Sequence, residues 1–235
     1  MGAELVYKLI KLEIKKFKLW KHWKGVLISN VGFIAFLGMI YGLELSEENV
    51  PFENFEMVIL ILGSIVRATF IIYASFLIVK LVIDEYKNKT IDIMFTYPVK
   101  RKKILAAKLM IVMAFTFFTV FLSNVLIGGL FVITEAAFDI LPGEIGVDEI
   151  YNNLISTFFY SLATAGISLI PLLFGMPRKS APATIVTAIF LVCLIGNTTD
   201  SFTVFSIIAV PISLALLGLF IGYLSIRNIE KVDVR

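Results

Sequence analysis

Six stretches of this chain are too apolar and too long for a water-soluble fold. They run at about residues 25–43, 57–83, 104–133, 154–176, 181–196 and 203–224, and about 20 apolar residues are what a helix needs to cross a hydrocarbon layer of ~30 Å. The fifth, at about 16 residues, is short for that task and reads as extending across Pro182 or as a broken element. With a mean hydropathy of +0.93 over 235 residues, no soluble core of this size could hide the apolar surface. The expected fold is therefore all-α integral membrane: one domain, residues 1–235, with six transmembrane helices.

The charges test that count. Lysine and arginine fill the N-terminal arm (Lys8, Lys11, Lys15, Lys16, Lys18, Lys21, Lys24), the second loop (Lys87, Lys89, Lys100, Arg101, Lys102, Lys103), the fourth loop (Arg178, Lys179) and the tail (Arg227, Lys231, Arg235). The other loops carry acids: Glu44, Glu47, Glu48, Glu53 and Glu56, then Glu135, Asp139, Glu144, Asp148 and Glu149, then Asp200. Positive residues stay on the cytoplasmic side, so six spans put both termini in the cytoplasm of a plasma-membrane protein. A miscount by one span would mix the two sets. The lysine-rich start lacks a cleavage pattern, so no removable signal is expected.

Residues 1–24 have their own period. Glu4, Lys8, Lys11, Lys15, Lys18 and His22 form one polar helical stripe, while Leu5, Val6, Leu9, Ile10, Leu12, Phe17 and Trp20 cover much of the rest. This arm is an amphipathic interfacial helix; it serves as a membrane-surface anchor or lies beside a partner subunit. Residues 84–103, "DEYKNKTIDIMFTYPVKRKK", also hold internal order. Asp84, Glu85, Lys87 and Lys89 precede Ile91, Met94 and Phe95 at helical spacing, and Pro98 stops any helix before the basic cluster. Such a short amphipathic helix either seats Met94 and Phe95 in another protein or dips back onto its own chain.

Here the sequence resembles a known family. An acid, then Thr, then a hydrophobic stretch and "YPVKRKKILAAKL" is similar to the cytoplasmic motif of ABC type-2 transporter permeases, carried here by Glu85, Thr90, Ile91, Pro98, Val99, Arg101, Ile104 and Lys108. The family often has glycine before the threonine, and this chain has Lys89. The resemblance implies that 84–103 is a coupling helix docking on a separate ATPase, through Asp84, Glu85, Tyr86, Lys87, Thr90, Ile91, Met94, Phe95, Pro98 and Arg101. It implies that 1–24 is the connecting helix beside it. It also implies two copies of a P-loop ABC ATPase and a second permease, identical or paralogous. No phosphate-cradling G-x-x-x-x-G-K-[ST] occurs in the chain, so it is no ATPase itself and binds no cofactor, and ATP and Mg²⁺ belong to the partner. A prokaryotic source is expected, and no nucleic-acid partner.

Within the spans, charge is scarce. Lys80 and Lys108 sit near cytoplasmic ends, where their stems can snorkel. Arg67 falls near mid-bilayer, where an unsatisfied charge costs at least ~2.5–3.5 kcal/mol. Asn30, Asn124, Tyr160 and Ser161 are its candidate neutral partners, and Arg67, Asn30 and Asn124 are candidate translocation-path residues. Pro171 and Pro211 are expected to kink their spans. Gly38 with Gly42, and Gly218 with Gly222, permit close helix approach within the chain or between copies. Residues 134–153 form an acidic outer loop.

One histidine and one cysteine exclude a disulfide framework and leave a metalloprotease too few ligands. The resemblance points to an exporter of amphipathic or antimicrobial peptides or similar hydrophobic compounds. Ions or lipid-linked molecules are the alternative cargo, and a six-span binding component of a vitamin importer is the alternative function.

Overall fold

The computed structural model describes residues 2–44, 55–87, 101–138, 146–196, 198–199, 202–203 and 209–228. The described chain is helical apart from a two-residue antiparallel pairing of β1 (Thr198–Thr199) with β2 (Phe202–Thr203). Helix α1 spans Gly2–Lys16, and a 3-10 turn at Leu19–Lys21 leads into α2, His22–Glu44. Helix α3 runs Phe55–Ile78, widens into a π-turn at Val79–Ile83 and ends in α4, Asp84–Lys87. Helix α5 covers Arg101–Phe138 and α6 Val147–Ile167; a turn at 168–171 then leads to α7, Leu172–Arg178. Helices α8 (Ala181–Ile195) and α9 (Ala209–Asn228) complete the set.

Four stretches are long and apolar enough to cross a membrane: Met57–Lys87, Arg101–Glu135, Val147–Arg178 and Ala209–Arg227. The protein is thus a multi-pass membrane protein. The other two expected spans coincide with α2 and with α8, whose 15 residues give only ~22 Å of helix. Ser180 caps α8 by accepting from the Ala183 amide, and Pro182 sits in the first turn, where no donor is lost.

The prolines behave differently from each other. Pro171 lies in the turn that separates α6 from α7, as a proline break requires. Pro211 instead occupies the first turn of the described α9. Residues 204–208, which precede that helix, lie outside the described residues. Lys18, at φ 49°, and Lys179, at φ 46°, end α1 and α7 in the left-handed region.

Helix α5 is the spine, with α1, α2, α3, α6 and α9 all packing against it. In lipid, helices gain little from hydrophobic exclusion, so close fit holds them together. A close approach joins α6 to α9: a Cβ at Gly166 would lie 3.0 Å from Ala215, and one at Gly218 would collide with the Gly166 carbonyl oxygen. The Gly218 and Gly222 pair therefore serves packing within the chain, while a Cβ at Gly38 would meet nothing within 4 Å. One core gathers Val26, Phe33, Val66, Phe70 and Val120 between α2, α3 and α5. The other gathers Leu77, Leu81, Ile83, Leu109, Leu172 and Ala188 around the π-turn, which becomes the firm base from which α4 projects.

A buried charge cluster as the candidate functional site

The ends of α1 and α4 meet on α5 and enclose four charges. Ile10 and Glu13 of α1 and Phe17 just beyond its end follow helical spacing; Ile10 and Phe17 pack on the π-turn core while Glu13 is 4% exposed. Lys108 of α5 is 2% exposed and Glu85 of α4 is 6% exposed. Lys108 Nζ donates to Glu13 Oε2 at 3.0 Å and forms an ion pair with Glu85 Oε2 at 2.8 Å. The second Glu85 oxygen, Oε1, accepts from Lys16 Nζ at 2.7 Å. The Phe17 ring lies 4.9 Å from Lys108 Nζ and 5.1 Å from Lys16 Nζ, which adds a cation–π contact to each.

Signs alternate along the cluster, Glu13, Lys108, Glu85, Lys16, and sum to zero. Each buried carboxylate has a cation within 3.0 Å, as desolvated charges require. Lys108 was expected to snorkel; instead it is enclosed, because two carboxylates and an aromatic face offer its ammonium more than the interface does. Glu13 was not among the expected site residues, since the lysine stripe dominates the period of the arm and Glu13 lies off it. Its isolation among Ile10, Ile14 and Phe17 is the signal that could have found it.

The remaining expected residues separate. Asp84 is half-buried and Lys87 exposed; the Tyr86 hydroxyl is buried with no partner among the described residues. Arg101 opens α5. Thr90, Ile91, Met94, Phe95 and Pro98 lie outside the described residues. Lys11 and Lys15 of the polar stripe of α1 are exposed.

A second polar cluster joins α2 to α3. Lys80 Nζ lies 3.0 Å from His22 Nε2, His22 Nδ1 lies 2.8 Å from the Tyr73 hydroxyl, and that hydroxyl donates to the His22 carbonyl at 3.3 Å. Lysine can only donate, so Nε2 is the acceptor and the proton sits on Nδ1, in a neutral ring. Burial, and then the adjacent Lys80 charge, hold His22 below the ordinary imidazole range.

Arg67 is 7% exposed. Its Nη2 donates to Ser64 Oγ at 2.9 Å and its guanidinium lies 5.3 Å from the Tyr160 ring centre. A Cβ at Gly63 would sit 3.1 Å from Arg67 Nη1 and 3.4 Å from Asn124 Oδ1, so glycine leaves room for both groups. Beside them a cavity of about 20 Å³ opens between α3 and α8, lined by Ser64, Arg67, Ala68, Ile71, Val192 and Ile195. Asn30 and Ser161 bond their own helices, at Val26 O and Thr157 O. Glu135, expected in the outer loop, is buried on α5. No group of metal-ligating side chains occurs among the described residues.

Residues 9–196 match the family model described as ABC-2 family transporter protein. A Bacillus subtilis (strain 168) protein described as uncharacterized protein YcbO is 43% identical over 225 residues, covering 96% of this chain and 99% of that protein. No solved structure matches.

Proposed function

Because the chain belongs to the ABC-2 family of transporter proteins, we propose that it is the six-span permease subunit of an ATP-driven exporter. Both termini lie in the cytoplasm, and two permeases pair with two copies of a P-loop ATPase that binds the ATP and Mg²⁺. Residues 84–103 receive the ATPase, through Asp84, Glu85, Tyr86, Lys87, Thr90, Ile91, Met94, Phe95, Pro98 and Arg101. The cargo is an amphipathic or antimicrobial peptide or a similar hydrophobic compound, in keeping with span walls that are mostly apolar.

The observation that carries the coupling role is the buried charge cluster at Glu85. A loop that must pass on force needs a stiff root, and a carboxylate held on both oxygens by lysines of two different helices supplies one. An exposed turn between two spans would have no use for enclosed charges, which are costly to desolvate.

Detergent extraction of the chain co-expressed with the genes beside its own tests this. Recovery of a P-loop ATPase with the wild-type chain, and its loss in Met94→Asp, supports the reading. A folded wild-type chain that emerges with no ATPase overturns it.

A further inference from the structure

We propose that Glu13 is a positioning residue: acting through Lys108, it holds Glu85 in place, so that α1, α4 and the first turns of α5 move as one body. This rests on the coupling role proposed above and adds a working part that the arm's lysine stripe conceals.

The geometry argues it in three steps. First, α1 supplies two of the four charges, Glu13 and Lys16, and they reach Glu85 by different routes. Lys16 touches Glu85 directly at 2.7 Å, whereas Glu13 touches only Lys108, at 3.0 Å, which in turn touches Glu85 at 2.8 Å. Glu13 therefore fixes where the Lys108 ammonium sits between its two carboxylates. Second, the Lys16 side chain is 48% exposed while those of Lys108, Glu13 and Glu85 are 3%, 5% and 7% exposed. The Lys16 contact is screened by water, and the enclosed route through Lys108 is the stiff one. Third, Val79–Ile83 immediately before α4 is a π-turn whose Val79, Leu81, Val82 and Ile83 are buried. This base fixes α4 from one side, so the cluster need only fix it from the other.

A desolvated, alternating cluster is also hard to deform by degrees. Separating Glu13 from Lys108 leaves a buried carboxylate with no cation, and separating Lys108 from Glu85 leaves Glu85 only the half-exposed Lys16, so the enclosed contacts are held or lost as whole pairs. Force on residues 88–100 would then reach α1 and α5 together.

The test uses the full chain in lipid nanodiscs with its co-purified ATPase, comparing wild type, Glu13→Gln and Glu13→Asp. Amide hydrogen exchange is read at residues 84–87, and ATP hydrolysis with and without the permease. In Glu13→Gln, Lys108 keeps Glu85 as a partner, so the bundle stays folded and the ATPase stays bound. Exchange at 84–87 is expected to rise about tenfold and permease-dependent hydrolysis to fall about tenfold, within the usual range of coupling between linked sites. Glu13→Asp keeps the charge and recovers most of both readings.

A residue that merely seats α1 would loosen 10–17 and leave 84–87 protected. Unchanged exchange at 84–87, or unchanged hydrolysis, in Glu13→Gln overturns the positioning role while a retained ATPase leaves the permease reading standing. A wild-type chain that retains no ATPase overturns both.

Discussion

Lys108 and Glu13, 95 residues apart in sequence, meet at 3.0 Å with side chains only 3% and 5% exposed. Removing the lysine strands Glu13 and takes from Glu85 its buried partner, leaving it only the half-exposed Lys16. Lys108→Met should therefore destabilise the chain by about 3–5 kcal/mol, the range for a buried charge left without its partner. Glu13→Gln should cost under about 2 kcal/mol, since a neutral amide can still accept from Lys108. Thermal unfolding of both variants in one detergent gives the comparison; equal losses would mean that Lys108 does not bridge the two acids.

The two glycine pairs make opposite forecasts from the same motif. Gly218→Ala puts a methyl group against the Gly166 carbonyl oxygen and should cost about 1–3 kcal/mol by forcing α6 and α9 apart. Gly38→Ala adds a methyl group with nothing within 4 Å, and should leave the melting temperature of the solubilised chain unchanged. A Gly38→Ala loss as large as that of Gly218→Ala would place a second helix against α2.

What the sequence made legible was whatever one helix decides alone. The apolar runs locate α3, α5, α6 and α9, because a span's hydropathy is a local property. The charge cluster was half visible: Glu85 and Lys108 lie within the motif, but the family resemblance gives them no partners. Glu13 meets Lys108 only because α1 folds back along α5, a long-range contact that no spacing rule reports. The same holds for Gly63, whose purpose becomes visible only when Arg67 Nη1 and Asn124 Oδ1 converge on it.

His22 should give the chain an acid-sensitive joint. Its folded-state pKa lies below the ordinary value, through burial first and Lys80 second, so the folded protein binds fewer protons than the unfolded one. The stabilisation is fully present above about pH 6.5 and is lost as pH falls through the lower, folded-state value. Protonation would place a second positive charge 3.0 Å from Lys80 Nζ and remove the acceptor it uses. Because the chain has one histidine, a single imidazole resonance reports the titration. It should titrate below the ordinary imidazole value in the folded protein, and His22→Phe should flatten the acid limb of the stability profile. An imidazole that titrates at or above the ordinary value would remove the joint.

Arg67 and Gly63 should act as one unit. Arg67→Lys discards the planar fork that reaches Ser64 and lies against Tyr160, a loss of about 1–3 kcal/mol for a hydrogen bond to a charged group. Gly63→Ala pushes a methyl group to 3.1 Å from Nη1 and should displace the same guanidinium. If glycine is there to seat the arginine, the double variant will cost less than the two single losses added together, since the second change removes what the first has already disturbed. Strictly additive losses in thermal unfolding would mean that Gly63 serves the packing of α3 on α5 alone, and that the Arg67 site is built without it.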